Sequence, residues 1–255
     1  MLILLSPAKT LDFETQPQTR IKTTPELLGD SAELAAVLKQ YSPKQIAALM
    51  GVNDKLAELN YNRFQDWESP LPENASKQAV LAFKGEVYRG LLADEMTEKQ
   101  LLYAQDHLRI LSGLYGVLRP LDAMLPYRLE MGTRLNNPRG KDLYAFWGDR
   151  ISDVVNGQLK STKSKYLLNL ASAEYFRSVN EQAIEVPIVA PVFKDKTKGG
   201  YRVVTVYAKK ARGTMAAWVI RSKAKTLKKL LQFDDDGYRY DAESSGELEP
   251  VFLRG

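Results

Sequence analysis

The side chains most suited to chemistry in this chain are lysines and arginines concentrated in one stretch. Between Lys194 and Leu231 there are twelve of them and a single acid, Asp195, which gives a local charge of +11 in a chain whose net charge is +5. The rest of the chain therefore sums to −6. Positive charge concentrated in this way creates a local field that attracts phosphate-rich partners. The stretch predicts an anion-binding surface.

Three cations stand together in the middle of this stretch: Lys209, Lys210 and Arg212. They follow the alternating residues 201–207, which predict a strand with one polar face, and they precede residues 215–231, which predict a helix. A strand-to-helix corner of this kind would place cations beside free backbone N–H groups, which is a favourable anion site. The lysines from Lys223 onward are better explained as solvent-facing helix positions.

A second basic region surrounds Gly113 and Gly116 and continues to Arg119. A helix that enters a tight Gly-x-x-Gly turn and leaves towards a short helix is similar to the hairpin of helix-hairpin-helix DNA-binding modules, whose backbone amides contact a phosphate. Two glycines near a proline are more often only a turn. Arg119 and the later Arg128 would add phosphate contacts to such a hairpin.

Other polar residues follow short apolar runs. Lys9 comes after the first predicted strand in Ser-Pro-Ala-Lys-Thr, a sequence without the glycines of a phosphate loop, so nucleotide hydrolysis is not supported. Lys9 could still bind an anion at the strand's carboxyl end. An alternative hypothesis is an enzyme for a small phosphorylated or carboxylated substrate, with Lys9, Lys84, Glu174 and Lys209 in one pocket. Spacing identifies no catalytic residue, and Ser172 is interpreted as an N-cap.

The composition excludes several classes of chemistry. The chain has no cysteine and one histidine, His107, which excludes disulfides, thiol or haem peroxidase chemistry and cysteine-ligated metal sites. Any metal would need carboxylate and carbonyl ligands, and no such cluster is evident. We therefore expect neither a metal nor a cofactor, and we interpret His107 as a structural or surface residue.

The elements that must position these residues suggest one compact domain over residues 1–255. Residues 2–5 predict a buried strand, several helices follow in the first half, and residues 113–140 are dense in glycine and proline. Strands at both ends with helices grouped between them predict a mixed α/β (α+β) fold, a mixed sheet flanked by helices. The short apolar N-terminus predicts no signal peptide, and no apolar run approaches a membrane span. We expect a cytoplasmic monomer without membrane contact.

Five motifs, in this order, resemble the bacterial YaaA family of peroxide-stress resistance proteins over nearly the entire chain. They are Ser6-Pro-Ala-Lys-Thr-Leu-Asp12, Leu81-Ala-Phe-Lys-Gly-Glu-Val-Tyr88, Leu111-Ser-Gly-Leu-Tyr-Gly-Val-Leu-Arg-Pro-Leu-Asp122, Pro126-Tyr-Arg-Leu-Glu-Met131 and Tyr207-Ala-Lys-Lys-Ala-Arg-Gly213.

The resemblance implies a cytosolic α/β protein of unusual fold that protects DNA under hydrogen peroxide and is linked to lower free intracellular iron. It also implies a DNA-binding cleft with a helix-hairpin-helix-like element. By position, Gly113 and Gly116 would form the hairpin, and Lys209, Lys210 and Arg212 would belong to the basic cleft. We therefore predict sequence-independent binding of duplex or distorted DNA.

Overall fold

A five-stranded sheet forms the first structural layer of the computed structural model, which describes residues 1–255. Its strands, in spatial order, are β6 (Gly116–Leu118), β5 (Leu108–Ser112), β1 (Leu2–Leu5), β8 (Leu167–Leu170) and β9 (Ile188–Val189). Strand β1 is parallel to both β5 and β8, and every residue of β1 is buried. This confirms the strand predicted from the continuous apolar run, because a central parallel strand is covered on both faces.

A second, four-stranded sheet is built mostly from the C-terminal part of the chain. Its strands, in spatial order, are β11 (Gly200–Arg202), β10 (Val192–Thr197), β13 (Val251–Arg254) and β12 (Arg239–Asp241). Two short pairs complete the strands: β2 (Thr10–Leu11) with β4 (Phe83–Lys84), and β3 (Lys77–Gln78) with β7 (Ala123–Met124). Phe193 of β10 stacks on Phe252 of β13, so aromatic packing covers one face of this sheet.

Eleven α-helices surround the sheets, most of them short. They are α1 (Leu28–Lys39), α2 (Pro43–Met50), α3 (Asp54–Gln65), α4 (Ala79–Ala82), α5 (Glu86–Leu91), α6 (Glu98–His107), α7 (Leu143–Trp147), α8 (Arg150–Ser161), α9 (Ala173–Phe176), α10 (Thr205–Ser222) and α11 (Leu227–Leu230). The mixed α/β class predicted from the sequence is confirmed. A continuous core that includes Leu4 and Phe252 joins elements from both ends of the chain.

Local capping explains where several helices begin. Ser42 accepts a hydrogen bond from the backbone of Gln45, whose side chain in turn accepts one from the backbone of Ser42, and Thr97 makes the same capping box with Gln100. Helices α2 and α3 form a helical hairpin joined by residues 51–53. Gly51 there has φ +61°, a left-handed conformation that glycine adopts without strain.

Helix α10 is positioned by close backbone contact with α5. A Cβ atom on Gly213 would lie 1.7 Å from the carbonyl oxygen of Val87, and one on Gly90 would lie 2.1 Å from the carbonyl oxygen of Lys210. Glycines on both helices therefore allow an approach that no side chain permits. This contact fixes the orientation of α10 relative to α5.

Two predicted elements are wrong in their boundaries. Residues 201–207 do not form one strand: β11 ends at Arg202, and α10 begins at Thr205. The apolar spacing of residues 143–159 predicts a single helix, but Gly148, which has positive φ, divides this segment into α7 and α8. The first error moves Lys209, Lys210 and Arg212 from a strand-to-helix corner into the second and third turns of a helix.

Candidate anion-binding cleft

A cleft of about 540 Å³ opens beside the carboxyl ends of two neighbouring parallel strands, β1 and β8. The chain leaves β1 at Ser6 and leaves β8 at Ala171, and both segments contribute to its walls, together with residues 84–87 and 127–130. Helix α10 closes the cleft with Lys209 and Arg212. Open α/β sheets bind ligands outside the carboxyl ends of their strands, so this is the expected place for a site.

Two serines join the strand ends beneath the cleft. The hydroxyl oxygen of Ser6 accepts a hydrogen bond from the backbone N–H of Ser172 at 2.8 Å and donates one to the Ser172 hydroxyl at 3.3 Å. Tyr88 donates its hydroxyl to the carbonyl of Ser6 at 3.1 Å. Ser172 occupies the predicted N-cap position of α9, but its side chain makes no capping bond. These bonds give the cleft a fixed polar floor.

Five predicted cations line this cleft: Lys9, Lys84, Arg128, Lys209 and Arg212. Glu130 partly neutralises two of them, because its carboxylate lies 2.7 Å from Lys9 Nζ and 3.3 Å from Arg128 Nη2. Lys84 lies 3.7 Å from Asp12, a loose ion pair. The Nε atom of Arg128 is buried and has no hydrogen-bond partner.

Lys209 and Arg212 differ from the other three because neither has an ion-pair or hydrogen-bond partner. They are three residues apart on α10 and so lie on the same face of the helix. Partial burial lowers the pKa of the Arg212 guanidinium, since desolvation disfavours its charged form. An anion in the cleft would restore the interactions that this guanidinium lacks.

The four residues of the alternative small-substrate hypothesis also meet here. Glu174 lines the cleft with Lys9, Lys84 and Lys209, and its carboxylate accepts the backbone N–H of Gly132 at 3.0 Å. The sequence reasoning missed Glu130. Glu130 stands two residues from Arg128 in the motif Pro126–Met131, and this short spacing was the available signal for their ion pair.

The prediction of a helix-hairpin-helix element at Gly113 and Gly116 is wrong. The preceding residues form strand β5 and the following ones form β6, so the two glycines flank a β-hairpin turn. A Cβ atom on Gly113 would lie 2.2 Å from the carbonyl oxygen of Leu129, and one on Gly116 would lie 2.8 Å from the ring of Trp147. Both glycines are buried, so close packing explains their presence here.

Two predicted site cations also lie outside the cleft. Arg119 pairs with the buried carboxylate of Asp122 at 2.8 Å and donates to the carbonyl of Thr24, so it holds loops together. Lys210 lies 3.2 Å from Asp236. Their charges are satisfied within the protein.

Similarity to known proteins agrees with the sequence motifs. A sequence model of the family described as "Peroxide stress protein YaaA" matches residues 1–244. The chain belongs to this family of peroxide stress proteins. It is 50% identical to a UPF0246 protein of Paraburkholderia phytofirmans over 256 residues, which covers 100% of this chain and 98% of the relative. UPF0246 proteins of Janthinobacterium sp. and Alcanivorax borkumensis are each 52% identical over 254 residues, again 100% of this chain and 98% of the relative.

Two further observations bear on what this member of the peroxide stress family contains. No set of three or more histidine, aspartate or glutamate side chains is arranged to hold a metal ion. None of its helices combines the length and the apolar character that crossing a lipid bilayer requires. The side chains that line the cleft offer ammonium, guanidinium, carboxylate and hydroxyl groups.

Proposed function

We propose that this protein acts in the peroxide stress response by binding DNA, without sequence preference, through phosphate contacts in the cleft. The observation that carries the proposal is the pair Lys209 and Arg212, two cations on one face of α10 that line the cleft and have no partner within the protein. Phosphate oxygens are suitable acceptors for a guanidinium fork and an ammonium group.

The charge around the cleft favours a polyanion as the ligand. No acidic residue occurs between Asp195 and Asp234, a span that contains β11, α10 and α11. The exposed cations Lys196, Lys198 and Arg202 lie in this acid-free span. A field of this extent steers long phosphate backbones and gives binding that depends strongly on salt.

The helical hairpin of α2 and α3 is a second element suited to a DNA backbone. Its glycine turn is followed by Asn53, whose side chain accepts the N–H of Leu56 and leaves the N–H groups of Asp54 and Lys55 without helical partners. Backbone amides at such a turn contact phosphates in helix-hairpin-helix modules. Exposed Lys55 is the cation nearest in sequence to this turn.

Protection in this proposal comes from binding rather than from removal of peroxide. The chain has no cysteine to form a peroxidatic thiolate, and its single histidine, His107, lies outside the cleft. A chain with these side chains can shield DNA by binding it. In this proposal, any lowering of free iron is carried out by other proteins of the cell.

The test is a titration of a labelled 20-base-pair duplex by fluorescence anisotropy at several salt concentrations. The double variant Lys209→Ala/Arg212→Ala should lower the slope of log affinity against log salt by about 2, since each lost phosphate contact removes about 0.9. The matched control is Lys210→Ala/Arg221→Ala, which removes the same charge from two cations already paired with Asp236 and Asp235. Binding that is absent, independent of salt or equally reduced in the control would contradict the proposal.

The volume of the cleft favours a second candidate function, action on a small phosphorylated or carboxylated molecule. About 540 Å³ lies within the roughly 300–1,000 Å³ of small-ligand pockets. Glu174 beside Lys9 and Lys209 could exchange protons with such a ligand. Calorimetry with nucleoside monophosphates and simple phosphorylated sugars distinguishes the two functions, because saturable micromolar binding without DNA affinity would favour the second.

A further inference from the structure

The cleft has the size of a site for one nucleotide rather than for a duplex. Its volume is about 540 Å³, and it is enclosed by the ends of β1 and β8, by residues 84–87 and 127–130, and by α10. Pockets of this volume hold ligands of drug or cofactor size, whereas the major groove of a duplex is by itself about 12 Å wide. A duplex can contact the rim of the cleft, but only a single nucleotide can enter it.

The charge of the cleft matches a doubly charged anion. Among the residues that line it, five cations outnumber three carboxylates, which leaves a net charge of +2. Glu130 already pairs with Lys9 and Arg128, whereas Lys209 and Arg212 have no acidic partner. A phosphodiester inside a DNA strand carries one negative charge, and a terminal phosphate monoester carries about −1.5 to −2 at pH 7. The monoester therefore balances the charge of the cleft more completely.

Lys209 and Arg212 can contact the same phosphate group. They are three residues apart on α10, and Cβ atoms at this spacing lie about 5–6 Å apart, a distance that two long side chains can bridge to a common ligand. A guanidinium binds two phosphate oxygens through its fork, and an ammonium group can bind a third. A phosphate monoester offers three such oxygens, and a diester offers only two.

A second concavity, of about 570 Å³, adjoins the cleft. The two share the wall residues Thr10, Lys84, Gly85 and Glu86. The Nζ atom of Lys84 makes no hydrogen bond within the protein and has only loose ion pairs, at 3.7 Å, with Asp12 and Asp94. Its ammonium group can therefore contact the phosphate that joins a nucleotide in the cleft to the next nucleotide in the second concavity.

We propose that the cleft binds the phosphorylated end of a DNA strand, with the terminal phosphate monoester on Lys209 and Arg212 and the next phosphate on Lys84. This inference rests on the proposed function and names the part of the DNA that enters the cleft. Radical attack on deoxyribose breaks a DNA strand and leaves terminal phosphates. Such ends are therefore produced under the stress for which this family is named.

The test measures binding of the full-length protein to a 12-nucleotide single strand by fluorescence anisotropy, with the dye at the 3′ end. The strand carries a 5′-phosphate, a 5′-hydroxyl or a 5′-methylphosphate, which keeps the phosphate but only one of its charges. Wild type should bind the 5′-phosphate form at least about tenfold more tightly than the other two, the effect of one additional charge-assisted hydrogen bond. A strand with a 3′-phosphate, and thymidine 5′-monophosphate as a competitor, complete the set of ligands.

Three variants locate the effect. Lys209→Ala/Arg212→Ala should abolish the preference for the 5′-phosphate. Lys84→Ala should weaken binding of all three strands by a similar factor and keep the preference, since the next phosphate is the same in each. The control Lys210→Ala/Arg221→Ala removes two cations that are paired with Asp236 and Asp235 and should keep the preference. Equal circular dichroism spectra and unfolding midpoints verify that the variants are folded.

The outcomes separate this inference from the proposed function. Equal affinity for the three strands, combined with salt-dependent binding of the 20-base-pair duplex, overturns the inference and leaves the proposed function standing. Absence of any DNA binding by wild type overturns both. A preference that persists in Lys209→Ala/Arg212→Ala also overturns the inference, as does thymidine 5′-monophosphate that binds as tightly as the phosphorylated strand, because the cleft would then be a small-molecule site. A stronger preference for the 3′-phosphate supports the inference with the opposite strand polarity.

Discussion

The two flanks of helix α10 carry similar side chains in different electrostatic surroundings. On one flank, Lys210 pairs with Asp236, and Arg221 with Asp235. On the other, Lys209 and Arg212 line the cleft without an acidic partner. Acids from the segment that follows α11 thus neutralise one flank and leave the other free. Position on the helix, rather than charge density along the chain, separates cations with a structural role from cations available to a ligand.

The largest effect should follow from breaking the contact that orients the two flanks. Gly213→Ala places a Cβ atom 1.7 Å from the backbone oxygen of Val87. Because both α10 and α5 pack into the core, neither helix can move away from this clash without disrupting the core. We expect the free energy of unfolding to fall by more than about 3 kcal/mol, at the upper end of overpacking effects. Urea denaturation followed by circular dichroism measures this change.

Gly157→Ala in α8 is the matched control for Gly213→Ala. Nothing lies within 4 Å of the Cβ position at Gly157, so alanine there should be neutral or stabilise the helix by up to about 1 kcal/mol. If the two substitutions had similar effects, the contact between α10 and α5 would not determine the orientation of the flanks.

The next effect comes from Asp195, the acid of the basic stretch. It is buried, accepts the hydroxyl of Tyr238 at 3.0 Å and lies 2.7 Å from Nε of Arg254. Asp195→Ala leaves that hydroxyl and guanidinium without their shared acceptor, and we expect a loss of about 2–3 kcal/mol in unfolding free energy. Thermal and urea denaturation should agree on the sign.

Asp234→Ala tests the same charge change at the surface. Asp234 and its partner Arg239 are both well exposed, so the cost should stay below about 1 kcal/mol. A loss as large as that of Asp195→Ala would mean that burial does not distinguish the two ion pairs.

Local features of this fold were predictable because their causes are local. The capping boxes at Ser42 and Thr97 and the buried strand β1 each depend on residues within a few positions, and the prediction of β1 is confirmed. The cations of the cleft were named from charge, motif and position after a strand. Their convergence depends on the pairing of β1 with β8, which brings segments about 165 residues apart to one edge.

The errors have a common physical origin in tertiary contacts. Gly-x-x-Gly fits both a helical and a strand hairpin, and the pairing of β5 with β1 decides for the strand. Residues 201–207 alternate as a strand does, but β11 pairs with β10 only as far as Arg202. Beyond that residue, packing of α10 against α5 favours the helix. The acids that neutralise Lys210 and Arg221 lie 26 and 14 residues later in the chain, beyond the end of α10. Helical spacing therefore could not predict these two ion pairs.

A pH dependence should come from Asp12, which lies 3.7 Å from the cleft cation Lys84. Its carboxylate accepts the backbone N–H of Thr15 at 2.9 Å, and this bond, with further hydrogen bonds and the charge of Lys77, lowers its pKa from 3.8 to about 2. Because the folded state favours the charged form, the resulting stability is complete above about pH 4 and is lost as the pH falls towards 2.

Asp12→Asn measures this contribution. We expect a loss of about 1–2 kcal/mol in unfolding free energy at pH 7 and a difference from wild type that shrinks between pH 4 and pH 2. Asp94→Asn, at an exposed acid with a loose pair to Lys84, is the control and should show neither effect. A pH-independent difference for Asp12→Asn would assign the effect to altered packing instead of charge.

The smallest effect on stability, and the most direct test of the two flanks, comes from Asp236→Asn. This change releases Lys210 and Arg254, which lie 3.2 and 3.1 Å from the carboxylate. Since all three side chains are partly exposed, unfolding free energy should fall by at most about 1 kcal/mol. Duplex affinity at low salt should rise by about two- to fivefold, because cations of the neutralised flank become available to phosphates. Asp153→Asn on α8 removes the same charge where no ion pair exists. An equal gain in that control would show that net charge governs binding, and the distinction between the flanks of α10 would then fail.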